Sequence, residues 1–360
     1  MIAVALNATH AQSAASQVWS PFVLVAGLLL VGLVADEDGL FLFAGYRLAR
    51  LAPNAVALYA GAALLVSVVT AALNLDTSVV FLTPVLVHAA RSRGQNEAPL
   101  LYGCLLLSNA GSLLLPGSNL TNLIVAGHLH FSGAAFFSRM APAWICAVVV
   151  TATVVGLVER RSLRTGAGDG DGTTPVPFTV GLGLAAVVAV TVFVLALRSP
   201  AIPVAAVGVL VIGIRLATRR QHGDQVLRVL GLPVLVGLFG VAVALGALGR
   251  SWSGPATALS HLDAWGTAAV AAVAAVLVNN LPAASLLASR LPPRPYALLI
   301  GLDIGPNLFV TGSLAWILWL RAARTAGATP SIARATVLGV LSAPLSMAAA
   351  VAALSLTGSH

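Results

Sequence analysis

Runs of apolar residues divide the chain into lengths that can and cannot cross a bilayer, because a spanning helix needs about 20 residues at about 1.5 Å rise each. Trp19 to Val34 is a first, slightly short span, followed by Asp36-Glu37-Asp38 and an amphipathic piece with Arg47 and Arg50. Asn54 to Leu73 is apolar until NLDTS interrupts it, and Ser78 to Ala90 is too short to cross. Pieces this short predict a re-entrant hairpin. Pro99 to Leu115 continues through PGSNLTN into Leu123 to Phe131, a helix broken at Pro116-Gly117, and Ala141 to Val158 spans again. After the polar stretch Glu159 to Pro177, the spans are Phe178 to Leu197, Ala201 to Leu216 and Val229 to Leu248. Ala264 to Val278 stops at NNLP, Ala283 to Arg290 is again too short, Tyr296 to Trp319 is broken at Gly305-Pro306-Asn307, and Ala335 to Leu356 spans.

The two stretches on either side of the polar linker share one order: a span, an interrupted hairpin, a broken helix, a span. The fold class predicted is an all-α polytopic membrane protein. It is an inverted-repeat transporter with about eight spanning helices, two of them broken, plus two re-entrant hairpins. Residues 1–158 form the first repeat, 159–177 a cytoplasmic linker, and 178–360 the second repeat, whose opening pair of spans has no counterpart in the first. Aligned by their breaks, Asp76 falls near Asn280, Asn109 opposite Asp303, and Ser118-Asn119 opposite Gly312-Ser313.

Composition strengthens the membrane reading. The 360 residues are 59% hydrophobic and 8% charged, with mean hydropathy +0.97, whereas soluble domains carry about a quarter charged residues. The net charge of +8 rests on 19 arginines with no lysine, most of them in short loops, so it reports orientation rather than nucleic-acid binding. With both hairpins returning to their side of entry, fourteen arginines, Arg47 to Arg93, Arg160 to Arg164, Arg215 to Arg228 and Arg321 to Arg334, share one face. Arg139, Arg198, Arg250, Arg290 and Arg294 share the other, so the first face is cytoplasmic, the halves are inverted and both termini lie outside. Residues 1–18 lack the basic start of a signal peptide, and Cys104 and Cys146 lack the spacing of a disulfide scaffold or thiolate metal site.

Only two of the eleven acids, Asp76 and Asp303, fall inside apolar segments. A carboxylate at membrane depth costs about 2.5 to 3.5 kcal/mol on insertion scales, so such a group is paired, protonated or functional. Asp76 could instead serve as an N-cap for the short helix after it. Asn74, Asn109, Asn119, Asn122, Asn279, Asn280 and Asn307 gather at the four breaks with Thr77, Ser112, Ser118, Thr311, Gly312 and Ser313. Neutral donors and acceptors with two acids suit a small polar, hydroxyl-bearing or oxyanionic solute, with a coupling proton or cation. Asp303 is the first candidate proton carrier and Asp76 the second. His128 and His130 form an HxH with no third ligand nearby, Asn119-Leu120-Thr121 is a glycosylation sequon buried at membrane depth, and no P-loop is present. No cofactor, metal or enzymatic activity is expected.

At these residues the chain resembles the ArsB-type arsenical-pump membrane proteins, arsenite and antimonite permeases of the ion transporter superfamily. LTP at Leu82 to Pro84, SLLLPGSNLTN at Ser112 to Asn122, NNLP at Asn279 to Pro282 and GLDIGPNLFVTGSLAWILW at Gly301 to Trp319 carry the resemblance. It implies an inverted-repeat fold with two re-entrant hairpins, a cell-membrane location, and antiport of arsenite or antimonite hydroxides against protons. The partners it implies are that solute, a proton or Na+, and membrane lipid, with an ATPase subunit and a homodimer as further options. This chain departs from the pattern in having Leu75-Asp76-Thr77 for Asn-Asp-Gly, Asn109 in place of an acid, and two fewer opening helices. Related branches carry citrate, dicarboxylates or sodium, which makes a di- or tricarboxylate carrier the alternative.

Overall fold

The computed structural model describes residues 8–127, 132–164, 181–218 and 223–357, and these contain helices and no strand. His128, His130 and most of the linker lie outside the described residues. In chain order the helices are α1 (Ala8–Glu37), α2 (Leu40–Leu51), α3 (Ala55–Ala72), α4 (Leu75–Arg91), α5 (Ala98–Gly111), α6 (Leu120–Ala126), α7 (Gly133–Val158) and α8 (Arg160–Arg164). There follow α9 (Leu182–Ala196), α10 (Ala201–Ala217), α11 (Gly223–Leu230), α12 (Leu232–Ser251), α13 (Gly254–Ser260), α14 (Ala264–Val278), α15 (Asn280–Leu287), α16 (Pro295–Ile304), α17 (Leu314–Thr325) and α18 (Ile332–Leu356). Helices α1, α3, α7, α18 and the segment Gly223–Ser251 are long and apolar enough to cross a membrane. At 15 and 17 residues, α9 and α10 are shorter than a bilayer core is thick.

Both helix breaks are wider than Pro116-Gly117 and Gly305-Pro306-Asn307 alone predict. Helix α5 already stops at Gly111, one turn of 3-10 helix covers Pro116–Ser118, and α6 starts at Leu120. The Asn122 amide holds the loop open by donating to the carbonyls of Ser112 (2.7 Å) and Leu115 (3.0 Å), groups a continuous helix would have satisfied internally. The Trp144 indole takes the Gly111 carbonyl at 3.0 Å. In the second break α16 ends at Ile304, a 3-10 turn runs over Gly305–Leu308, and Trp316 Nε1 donates to the Pro306 carbonyl at 2.8 Å. Asn74, rather than Asp76, is the N-cap of α4, accepting from the Thr77 N–H at 2.6 Å, and Asp76 lies in the first turn.

Contacts come in matched sets. Helix α3 packs on α5 as α14 packs on α16, α4 packs on α17 as α15 packs on α6, and α7 lies along α18. Small residues set the closest approaches: a Cβ on Gly208 of α10 would sit 2.7 Å from the Gly27 carbonyl oxygen of α1, so these backbones touch.

Asp38 and Glu159 have largely buried carboxylates that are paired with arginines. Asp38, after α1, accepts from Arg215 of α10 and from the Gly183 N–H at 2.7 Å, and both ionic side chains are largely buried. Arg215→Ala would strand that carboxylate, so it should lower stability by about 3 kcal/mol. A melting curve in detergent checks it, and the double variant Asp38→Asn, Arg215→Met should recover most of the loss. Glu159 is fully buried and holds Arg334 by two bonds of 2.8 and 2.5 Å, with the guanidinium also over the Tyr102 ring at 5.5 Å.

Candidate functional site

Four helices begin at the breaks: α4, α6, α15 and α17. Asn74, Asn119 and Asn279 cap the first three with their side-chain oxygens, because a short polar side chain can reach the first free N–H groups; Asn74 and Asn119 do so from extended backbone. Ser313 occupies the same place before α17. Asn279 adopts φ 75°, a left-handed geometry that asparagine tolerates better than other non-glycine residues. Its amide donates to the Thr311 carbonyl at 3.2 Å, and the Asn280 N–H donates to the Gly312 carbonyl at 2.8 Å, joining the second hairpin to the second broken helix. Gly312 has no room for a side chain, since a Cβ would lie 2.5 Å from Pro306 Cα.

A narrow cavity of about 20 Å³ lies where these helix starts meet, large enough for one water molecule. Asp76, Asn119, Asn279, Asn280 and Ser313 line it, one or two polar side chains from each break, among Leu75, Leu120, Leu238, Leu281 and Leu314. No arginine faces it.

Two crossed contacts lead away from the cavity. Asp303, with no exposed surface, accepts at Oδ1 from the Asn119 amide at 2.9 Å and the Thr121 hydroxyl at 2.5 Å, while Ser112 and Asn122 also lie against its carboxyl. Asn119 donates to Ser112 Oγ as well, at 3.3 Å. In the other half, Asn109 accepts from Ser313 Oγ at 3.5 Å and donates to Asn307 Oδ1 at 2.9 Å, and Asn307 donates to the Leu106 carbonyl at 3.0 Å. Asp303 stands as far before Ser313 as Asn109 stands before Asn119. Each therefore reaches the cap residue of the opposite half. The caps also pair Asn74 with Asn279, which moves Asp76 opposite Leu281 instead of Asn280.

Thr77, Ser118, Asn122 and Thr311 do not line the cavity. Ser118 accepts from the Leu115 N–H at 3.1 Å and donates to the Ala71 carbonyl at 3.3 Å, and Thr311 donates to the Val276 carbonyl at 2.6 Å. These groups, with Asn122, hold the breaks in shape. Thr77 contributes its backbone N–H to the Asn74 cap. Sequence reasoning missed Thr121 and Leu238. Thr121 was present in the discounted sequon, two residues after Asn119, whereas nothing in an ordinary apolar span marks Leu238. Among the described residues no group of three His, Cys, Asp or Glu side chains could hold a metal ion.

Comparison with known proteins agrees with this architecture. The family model CitMHS, described as citrate transporter, matches residues 1–301. The arsenical pump membrane protein of Escherichia coli is 24% identical over 335 residues, 84% of this chain and 78% of that protein. The protein of the same name from Yersinia enterocolitica is 24% identical over 337 residues, again 84% and 78% of the two chains. The crystal structure of the Alcanivorax borkumensis YdaH transporter, described as having an unusual topology, superposes with a TM-score of 0.57 at 14% identity, over 96% of this chain and 87% of that one. That likeness concerns the fold alone.

Proposed function

This chain belongs to the citrate transporter family, CitMHS, and is a multi-pass secondary transporter of the ion transporter superfamily; from that premise we propose that it exports arsenite or antimonite, as the trihydroxides, across the cytoplasmic membrane in exchange for protons. The observation that carries this reading is the chemistry of the cavity. Amides and a hydroxyl from all four breaks surround it with one carboxylate and no arginine. A neutral trihydroxide both donates and accepts hydrogen bonds and needs no counter-ion, whereas a tricarboxylate calls for guanidinium or ammonium partners. The relatives named as arsenical pumps add support.

In this reading Asn119 links solute to proton. Ionised Asp303 draws the Asn119 amide into a charge-assisted bond and so fixes its position on the cavity wall. Protonation of Asp303 weakens that bond, frees Asn119 and loosens the solute site. Proton and solute then occupy the protein alternately, which is the requirement for exchange. The narrow cavity has to widen for the trihydroxide to enter. The crossed contacts between halves support two repeats, 1–158 and 178–360, and the arginine distribution supports their inversion with both termini outside.

A second reading, a di- or tricarboxylate carrier coupled to Na+ or H+, is favoured by the four helix N-termini that border the cavity, since each brings partial positive charge. The deciding experiment expresses the protein in cells lacking arsenite export and measures accumulated arsenic, with citrate uptake alongside. Lower arsenic supports export; unchanged arsenic with citrate uptake moves the assignment to the carboxylate reading.

Asn280→Ala and Ser313→Ala should each weaken solute binding roughly tenfold, the equivalent of one hydrogen bond of about 1.4 kcal/mol. Among the described residues no side-chain hydrogen bond holds the Asn280 amide, and Ser313 makes only a long one, so both variants should insert normally. Transport titrations at equal membrane expression test this. Loss of expression in both would instead make these residues structural.

A further inference from the structure

A second, larger cavity of about 510 Å³ opens between α1, the turn joining α9 to α10, Pro116 in the first break, the end of α6 and Gly133 at the start of α7. It shares no lining residue with the solute cavity. Its polarity is graded. Arg198 and Ser199, at the turn where α9 and α10 end, are exposed, and Ser16 and Ser20 of α1 add hydroxyls. Arg198 has no hydrogen bond or ion pair among the described residues, and no acid lines the cavity. Leu24, Leu123, Val194 and Pro116 make the rest apolar.

We propose that this cavity binds an anionic phospholipid, its phosphate on Arg198 with the hydroxyls of Ser199 and Ser20, and an acyl chain along Leu24, Leu123 and Val194 to Pro116. A lone cation at the end of membrane helices, above an apolar slot, matches a lipid in both charge and polarity. A water-soluble solute would gain nothing from the slot, which leads to Pro116 and not to Asp76 or Asn280. The lipid would sit beside the first break: a Cβ added to Gly117 would lie 3.3 Å from Val194 Cγ2, and one added to Gly133 only 1.9 Å from the Val194 carbonyl oxygen. The last turn of α9 therefore packs against Gly117, two residues before Asn119, and against Gly133 at the start of α7. An acyl chain wedged there sets how freely the turn from Pro116 to Asn119 moves.

Native mass spectrometry of the full-length protein, in detergent supplemented with phosphatidylglycerol or phosphatidylcholine, tests the site without relying on any transport assignment. The wild type should retain phosphatidylglycerol in preference to phosphatidylcholine. Arg198→Gln should lower that retention about fivefold, as expected for one basic residue meeting an anionic headgroup. Ser20→Trp should fill the slot and displace either lipid, while Arg321→Gln, at an exposed arginine outside the cavity, should change nothing. Equal phosphatidylglycerol retention by wild type and Arg198→Gln overturns the proposal, and this exposed substitution decides the matter if Ser20→Trp fails to fold. Retention of either lipid by a folded Ser20→Trp variant at the wild-type level would overturn it as well.

Discussion

Asp303→Asn is expected to reduce pH-driven concentration of arsenite in everted vesicles to the level of vesicles without the protein, while solute still binds, at an affinity lowered toward that of the protonated state because a neutral side chain at 303 holds Asn119 less firmly. The substitution keeps the size of the side chain and an acceptor oxygen for the Asn119 amide and the Thr121 hydroxyl, so the fold has little reason to change. Two charge-assisted bonds become neutral ones, at a cost of roughly 1 kcal/mol each. The variant cannot take up and release a proton, and Asn119 stays in one state whatever the pH on either side. Passive equilibration of solute through the cavity should survive, because Asp76, Asn119, Asn279, Asn280 and Ser313 are all still present. Asp76→Asn is the informative comparison: Asp76 lines the cavity itself, so its loss should weaken solute affinity before it uncouples transport. Vesicles carrying Asp303→Asn that still concentrated arsenite under a pH difference would transfer the proton role to Asp76 or remove it.

Gly339→Ala should be the most damaging single methyl among the described glycines, since its added Cβ would meet the shortest contact of them all. Helix α18 crosses the second break so closely that a Cβ at residue 339 would lie 1.7 Å from the Asn307 carbonyl oxygen and 2.8 Å from its carbon. These are backbone atoms of a buried turn, with no flexible side chain to move aside, so α18 and the break have to separate. The same displacement would pull Asn307 from Asn109 and from the Leu106 carbonyl. Overpacking and lost hydrogen bonds together predict roughly 3 kcal/mol of destabilisation. The measurement is melting temperature and yield in detergent, beside Gly213→Ala, where no atom lies within 4 Å of the added Cβ. The control should melt no lower than the wild type, because alanine favours a helix over glycine by about 1 kcal/mol. An unchanged melting temperature for Gly339→Ala would mean that α18 is free to shift away from the break.

Several features were readable from residue order alone. The ends of α14 at Ala264 and Val278 coincide with the apolar run, and the starts of α4 and α15 fall within the polar words NLDTS and NNLP. Other boundaries moved for identifiable reasons. Helix α1 already includes the residues before Trp19, because small residues such as Ala11 and Ala14 are buried against neighbouring helices although they read as too weakly apolar for a span. Helix α7 begins at Gly133, ahead of Ala141, with the Ser132 hydroxyl accepting from the Ala135 N–H at 3.3 Å. In the first break, the Asn122 bonds to two carbonyls end α5 earlier than Pro116 by itself would.

The sequence by itself determined that the chain crosses a membrane and where its helices have to break. Uncharged runs of that length leave few alternatives, and proline, glycine and amide residues inside them need freed backbone groups to be satisfied nearby. It also singled out Asp303, because a carboxylate is costly at that depth wherever its neighbours come from. Only the tertiary structure decided that Asp303 meets Asn119 and Thr121 from the other half, that Asn109 meets Ser313, and that Asn280 faces the cavity while Thr311 and Asn122 face backbone. Within a break the direction of a side chain follows local φ and ψ, and its partner is more than 180 residues away in the Asn119–Asp303 pair. No periodicity connects such positions; the packing of α4 on α17 and of α15 on α6 brings them together.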